Sequence, residues 1–380
     1  MRLIEADGKM LLRRRGLAVP RGRLYRADEA ISSHQGGAAV KAQVLAGARG
    51  KNGLVQLVDE TEVAASAAAM IARLREKGAP PHVLVEEKIA VAAEYYLAWR
   101  IDDVRQAPVL MFSKQGGGDV EAHADVHEFV WDPLRSLHSH HLVEFLLQAG
   151  VARRIAGAVA RFAAELYRLF VAEDAELIEI NPLAATANGI VALDAKFVLD
   201  DNARFRHGEW DGWLSAELER AAATPLELRA AQHGLTLIEL DGCVALFAAG
   251  AGFGMSLVDL LADAGLPPAN FADASGGISA EAFAAMGEVI LACAARPAVK
   301  AIVCFQPMSA SSLKTAVDGL LSAWDRAPVK KPLVVGFPVS ATAEREMTAG
   351  EARALFAARG HRVVSELDEL IPALREIVQG

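Results

Sequence analysis

The chain is short of cysteine, aromatic residues and positive charge. Three cysteines in 380 residues exclude a disulfide framework. Cys243, Cys293 and Cys304 sit in apolar stretches, without a Cys-x-x-Cys pair or a histidine at ligand spacing. They are expected to be buried, reduced and structural. Aromatic residues make up 6% against 53% hydrophobic residues, so the core is aliphatic. Alanine-rich helices on Val/Ile/Leu strands fit that composition, whereas a disordered acidic chain does not. The net charge is −9, from 39 Lys and Arg against 48 Asp and Glu. That balance argues against nucleic acid or an anionic membrane surface as partner, and the run Arg13-Arg14-Arg15 is too short to overturn it. The longest uncharged run, residues 242–258, is broken by four glycines and lacks a basic flank, so no membrane span is expected. The charged first residues do not read as a secretory segment, and a soluble cytoplasmic protein is the expectation.

At roughly 100–200 residues per domain, the length allows two or three domains. A short helix is expected up to Gly16, followed by a turn at Pro20. Strands are expected at 38–44 and 54–58 around a glycine-rich loop, then a helix over 60–77. Further strands are expected at 83–85, 95–101 and 108–112. A long helix fills much of 142–171, and a strand pair at 177–180 and 190–193 turns at Asn188-Gly189. After a helical segment over 214–232 the pattern becomes regular. Strands at 244–248, 301–305 and 333–337 alternate with helices at 255–264, 280–295, 312–325 and 343–359. That alternation predicts an α/β class with a doubly wound parallel sheet in the second part. The boundary is placed near 235, giving 1–235 and 236–380. No internal repeat is apparent.

Four groups of residues in the first part carry chemistry. Lys41-Ala42-Gln43-Val44 precedes the loop Gly47-x-Arg49-Gly50-Lys51-x-Gly53. A strand-borne lysine and glycine-loop amides suit phosphate oxygens, although glycine-rich hairpins are usually turns and this is no Walker motif. Glu86 ends one apolar strand and Glu94 begins the next. They either accept bonds from adenine and ribose or are solvated strand ends. Glu179 and Asn181 share a strand face by period-two alternation, and Asp194 is expected on the strand beside them. A hard divalent cation bridging phosphates takes one or two such oxygens plus water; the alternative is a surface hairpin.

In order, these groups resemble the β subunit of succinyl-CoA synthetase and its relatives, over essentially the whole chain. The most specific parts are Glu179-Ile180-Asn181-Pro182-Leu183 with Leu193-Asp194-x-Lys196, and Lys41-x-Gln43-Val44 with Gly47-x-Arg49-Gly50-Lys51. Asp200-x-Asn202-Ala203-x-Phe205-Arg206 and Asp241-Gly242 extend the match. The resemblance implies an α+β ATP-grasp domain followed by a flavodoxin-like CoA-ligase domain. It implies ATP and Mg2+ as cofactors, with CoA as co-substrate bound mainly by a partner. Lys41, Gly47, Arg49 and Gly50 would contact phosphates, Glu86 and Glu94 the adenosine, and Asn181 and Asp194 the magnesium. Glu179 would face a phosphohistidine. Pro20 hints at ATP over GTP. Ala48 stands where a glycine is usual, and the segments between Pro20 and Lys41 and before Glu86 are shortened.

The second part departs from that family where the acid is bound. Gly250-Ala251-Gly252-Phe253-Gly254 opens a helix whose N-terminus suits an anion, or simply packs closely. Asp273-Ala274-Ser275-Gly276-Gly277 matches the family's Asp-x-Gly-Gly-Gly loop with one glycine changed. Ala249 stands where succinate-handling members carry asparagine. Pro307-Met308-Ser309-Ala310-Ser311-Ser312 replaces a Gly-Gly-Ile-x-Arg loop, so the arginine is gone. Ser309, Ser311 and Ser312 either hold an anion or cap a helix. The expected substrate is a small carboxylic acid other than plain succinate.

The family's Gly-His-x-Gly-Ala loop does not occur here, so a separate α-like subunit carrying the phosphohistidine is expected. His123 and His127, and the trio His138, His140 and His141, read as surface residues more than as metal ligands. A malate- or citrate-type CoA ligase subunit and a non-catalytic regulatory homologue are the alternatives.

Overall fold

The computed structural model describes residues 1–26, 29–31, 36–45, 49–50, 52–117, 125–248, 250–274, 279–309, 311–328 and 330–379. The chain divides into two compact units, Met1–Ala221 and Ala222–Gly380.

The first unit runs β1 (Arg2–Leu3), α1 (Glu5–Arg14), β2 (Gly22–Tyr25), β3 (Ala38–Ala42), β4 (Val55–Val58), α2 (Val63–Glu76) and β5 (Val83–Glu87). It continues with β6 (Ala93–Asp102), β7 (Ala107–Ser113), β8 (His127–Val130), α3 (His140–Gln148), α4 (Arg153–Ala172), β9 (Ala175–Thr186), β10 (Gly189–Ala192), β11 (Lys196–Leu199) and α5 (Leu214–Ala222).

Two antiparallel sheets result. The smaller has the order β2-β5-β3-β4 and buries Val40, Val83 and Val85 against Ala67, Met70 and Leu74 of α2. The larger has the order β1-β11-β9-β6-β7-β8, with β10 also on β9. Its core joins Trp99, Phe112 and Ile178 to Val159, Phe162 and Leu166 of α4, and Trp99 Nε1 donates to the Ala163 carbonyl at 2.9 Å. The long helix expected over 142–171 is two helices, because Gly150 takes φ 87° between them. The segment 214–232 is likewise two: Pro225 sits in the first turn of a new helix capped by Thr224.

α1 sets up the site. Acidic residues lie in its first turn and basic ones in its last, matching the helix dipole, and Gly16 at φ 71° ends it as expected. Three of its charged side chains are buried: Glu5 and Lys9 share the face turned to the site, and Asp7 lies on the opposite side against Ser215. Three anchors hold the helix in place. Gln43 Oε1 accepts from the Ala6 N–H at 2.9 Å, Ser215 Oγ accepts from the Ile4 N–H at 2.9 Å, and Asp7 accepts from the Ser215 N–H at 2.8 Å. Gly8 permits the approach to β11, since a Cβ there would lie 2.9 Å from the Phe197 ring.

The second unit runs α6 (Pro225–Ala231), β12 (Leu235–Glu239), β13 (Val244–Phe247), α7 (Ala251–Asp263), β14 (Asn270–Ala274), α8 (Ala280–Ala294), β15 (Ala301–Phe305), α9 (Leu313–Arg326), β16 (Leu333–Gly336), α10 (Ala349–Ala358), β17 (Arg362–Val363) and α11 (Leu370–Gln379). The parallel sheet β13-β15-β16-β17 has both faces covered. Ala245, Phe247, Ile302, Cys304 and Val335 pack with α8 and α9, while Val244, Leu246, Val303, Phe305 and Val334 pack with α7 and α11. Period-two alternation within continuous apolar strands is the doubly wound arrangement. β12 and β14 form a separate antiparallel pair that the apolar-run pattern did not reveal. α6, which a boundary at 235 assigns to the first part, packs through Ala230 with Leu235 and Leu237 in the second unit's core. The helix expected from 343 begins at Ala349, where Thr348 and Glu351 form a capping box.

Cys293 and Cys304 are buried and Cys243 is half-buried, all three unpaired. Burial pushes the Cys304 thiol well above the usual range, as suits an inert structural cysteine. Among the described residues no helix is long and apolar enough to cross a membrane.

Candidate active site

Six charged side chains meet where α1, β3 and β5 approach the connector between β10 and β11. Lys41 Nζ lies 2.7 Å from Glu5 Oε1, 2.9 Å from Glu86 Oε2 and 2.5 Å from the Leu193 carbonyl oxygen. Lys9 Nζ lies 2.6 Å from the same Glu5 oxygen, 2.6 Å from the same Glu86 oxygen and 2.8 Å from the same carbonyl. Arg49 Nη2 reaches Glu5 Oε2 at 2.8 Å and Asp194 Oδ1 at 2.6 Å. Three cations thus face three carboxylates.

Exposure grades outward through the cluster. The side chains of Glu5 and Lys9 are 0% exposed, those of Lys41 and Arg49 10% and 11%, and that of Asp194 37%. Burial pushes the Glu5 carboxyl up, but Lys41, Lys9 and Arg49 outweigh it and hold it far below the usual range. Burial opposes the charge on Lys41 too, and Glu5, Glu86 and Asp194 more than offset it, so its pKa is raised. Arg49 is raised in the same way against burial, by Glu5 and Asp194. Lys9 is lowered, by burial first, with Glu5 opposing that shift and Lys41 adding to it. Its three oxygen neighbours still match the three N–H donors of an ammonium, where a neutral amine has only two.

The structure brings Lys41, Arg49, Glu86 and Asp194 together. Asp194 lies in the connector after β10, not on the strand beside Glu179 where the sequence pattern put it. The Leu193 N–H donates to the Pro182 carbonyl at 3.0 Å, which ties that connector to the strand carrying Asn181. Glu86 is fully buried among these charges, which removes the solvated strand-end alternative for it. Gly50 adjoins Arg49 in the turn before β4; Gly47 lies outside the described residues.

A second group sits along β9. Asn181 Oδ1 accepts from the Gly117 N–H at 2.6 Å, and the half-buried Glu94 carboxylate abuts Gly117. Glu179 pairs across the sheet with Lys196, whose Nζ lies 3.0 Å from Glu179 Oε2. Asn181 and Asp194 offer an amide and a carboxylate oxygen, the hard donors a magnesium ion takes alongside water and phosphate. Among the described residues no group of three or more His, Cys, Asp or Glu side chains is arranged to hold a metal. His138, His140 and His141 pack ring against ring, with His140 and His141 centroids 4.0 Å apart, while His127 is partly exposed and His123 lies outside the described residues.

In the second unit Gly250 caps α7 at φ 99°, a conformation that favours glycine. Its N–H donates to Asp273 Oδ1 at 2.9 Å, so an anion there meets a carboxylate already in place. Ala249 lies outside the described residues. Ser312 is the N-cap residue of α9, yet its hydroxyl makes no capping bond, and Oγ is buried without a hydrogen-bond partner. Ser309 is exposed and Ser311 half-buried. Simple helix capping therefore does not account for Ser312.

Sequence reasoning missed Glu5, Lys9 and the Gly116–Gly117 loop. Glu5 and Lys9 stand at i, i+4 spacing on a predicted helix, a pattern usually read as a solvated pair. Their proximity to Lys41 and Glu86 in space is not legible from their positions in the chain.

Residues 2–185 match the ATP-grasp domain family. The chain is 33% identical over 386 aligned residues, 99% of its own length and 96% of the relative's, to a succinate–CoA ligase [ADP-forming] subunit beta 2 of Streptomyces coelicolor. It is 36% identical over 91% of its length, and 92% of the relative's, to a succinate–CoA ligase [GDP-forming] subunit beta of Thermus thermophilus. The fold aligns with an ATP citrate lyase of Methanothrix soehngenii at a TM-score of 0.76 and 21% identity, covering 99% of each chain. With its buried lysine cluster, its ATP-grasp match and relatives alike over nearly their whole length, the chain belongs to the succinate–CoA ligase β-subunit family.

Proposed function

We propose that the chain is the nucleotide-binding subunit of an ADP-forming acid–CoA ligase. It uses MgATP to phosphorylate a histidine of a separate α-like subunit, and so drives acyl-CoA formation from a small carboxylic acid other than plain succinate. The observation that carries this is the convergence of Lys41, Arg49 and Asp194 on the more exposed side of one cluster.

Lys41 and Arg49 hold and orient the phosphates, with the Gly50 backbone next to Arg49. Glu94, beside Gly117, is the better placed of the two glutamates for the adenosine, because the Glu86 carboxylate is engaged by Lys9 and Lys41. Asn181 and Asp194 would hold magnesium, which when bound neutralises phosphate charge during transfer. Glu179, half-buried beside Lys196, faces the incoming histidine. Splitting acid activation into phosphoryl steps lowers each barrier, since a free carboxylate is a poor acyl donor. Pro20, buried and bonded through its carbonyl to Arg13 Nη2 at 3.1 Å, favours ATP over GTP.

In the second unit Gly250, Ser309, Ser311 and Ser312 would meet the acid, where the family resemblance expects an arginine that this sequence lacks. Losing that fixed cation disfavours a plain dicarboxylate and favours an acid that a hydroxyl can bind.

Isothermal titration of the purified chain with MgATP should show binding, and the chain alone should make no acyl-CoA. Full turnover by a homogeneous preparation would refute the need for a partner. With the cognate α subunit, an acid panel including succinate, malate and citrate tests the substrate. Succinate activity equal to or above that on every other acid overturns that part.

A further inference from the structure

Lys9 is the one cation of the buried cluster to which neither the motifs nor the proposed nucleotide chemistry gives a role. Its ammonium makes the same three contacts as Lys41: Glu5 Oε1, Glu86 Oε2 and the Leu193 carbonyl. Two ammonium groups therefore share one set of three oxygens, Lys9 on the interior side and Lys41 on the side nearer solvent. Like charges held this close repel, and the arrangement persists because each carboxylate oxygen sits between them.

Lys41 donates to Glu5 and to the Leu193 carbonyl and is ion-paired with Glu86, so a phosphate must draw it away from these oxygens. Moving Lys41 outward would, in a cluster without Lys9, strand two buried carboxylates with Arg49 alone. An uncompensated buried charge is strongly destabilising. With Lys9 fixed at the same oxygens, Glu5 and Glu86 keep a full ammonium partner when Lys41 departs.

We propose that Lys9 is a standing counterion, a positioning residue that frees Lys41 to leave Glu5 and Glu86 and engage a nucleotide phosphate. The part about the phosphate rests on the function proposed above; the counterion part does not.

Two measurements on the full-length chain separate them. The first is a denaturation cycle without nucleotide, comparing wild type, Lys9→Met, Lys41→Met and the double variant. If each lysine covers for the other, both single variants fold, and the double variant loses far more stability than the two single losses added. Additive losses overturn the proposal. So does failure of Lys41→Met to fold, because Lys9 would then not compensate the carboxylates.

The second is calorimetric titration with MgATP. Lys9→Met ties Lys41 to the carboxylates and should weaken binding by roughly tenfold to a hundredfold. Glu5→Gln with Lys9→Met removes one charge of each sign and should recover most of that loss. A role in packing alone predicts no recovery. Wild-type affinity in Lys9→Met, or a double variant no better than the single, overturns the proposal. A wild-type chain that does not bind MgATP overturns the nucleotide reading, and the denaturation cycle still decides the role of Lys9.

Discussion

The two units build their candidate sites by opposite means. Among the described residues every buried charged side chain lies in the first unit, where Glu5, Asp7, Lys9, Lys41, Glu86 and Asp102 are all sequestered. The second unit buries only Asn270 and Gln306 among polar side chains. Its candidate acid site consists of a glycine cap, an aspartate and serines. Phosphoryl transfer needs fixed charge aimed at developing charge, and fixed charge must be built into a core that compensates it. Recognition of a small acid needs only a few polar groups on loops. Such loops can be rewritten without disturbing the sheet beneath.

The sharpest way to break this contrast is to remove one buried charge. Glu5→Gln leaves Lys9, Lys41 and Arg49 short of a counter-charge and should cost the fold about 3–5 kcal/mol in urea denaturation. A loss below about 0.5 kcal/mol would mean the cluster is not the rigid charged core described here. Asp194→Asn comes next. It sits at the solvent side of the cluster and should weaken magnesium-dependent nucleotide binding by roughly tenfold to a hundredfold, with a smaller effect on nucleotide alone. Equal loss with and without magnesium would remove Asp194 from the metal's ligands.

Ser312→Ala probes the other unit. Its buried hydroxyl has no partner, so stability should stay level or rise by up to about 1 kcal/mol. The KM for the acid should rise by up to roughly tenfold, the worth of one hydrogen bond to a charged group. An unchanged acid KM would return Ser312 to a purely structural role.

The smallest expected effect is at Asp174, whose carboxyl is held at about 2 by the hydrogen bond from Arg206, with burial opposing and His207 adding. A carboxyl with a depressed folded pKa contributes stability that is full above its unfolded value and fades as pH falls toward the folded one. The Asp174 contribution should therefore disappear between about pH 4 and pH 2. Stability of Asp174→Asn and wild type, measured at pH 5 and pH 2, should differ more at the higher pH. A constant difference would show that the pairing is not charge-dependent.

Local pattern was enough for three of the four strands in the second unit's parallel sheet, β13, β15 and β16. Apolar strands such as Ala301–Phe305 and Leu333–Gly336 are continuous, and glycine or capping residues mark their helices. Strands with weak apolar signal escaped: the two-residue β1 and β17, the short β2, β8 and β11, and β12 and β14, whose alternating burial belongs to an antiparallel pair. Of the charged cluster, Lys41, Arg49, Glu86 and Asp194 stood out in the sequence as polar residues in or beside apolar strands, in the order of the family motifs. Lys9 did not, since a Glu–Lys pair on a helix looks the same in sequence whether it faces water or the core.

The sequence by itself determined the class of the fold and, through the resemblance of its motifs, the family. Those follow from periodicity and motif order, which are local properties of the chain. Only the tertiary structure decided that α1 turns Glu5 and Lys9 toward the site, held by Gln43, Ser215 and Asp7. Only it set two lysines on one trio of oxygens and engaged Glu86 with Lys9 and Lys41. The physical reason is that a charge's partner is fixed by distance and burial, and groups 184 positions apart, such as Lys9 and the Leu193 carbonyl, become neighbours only when the chain folds.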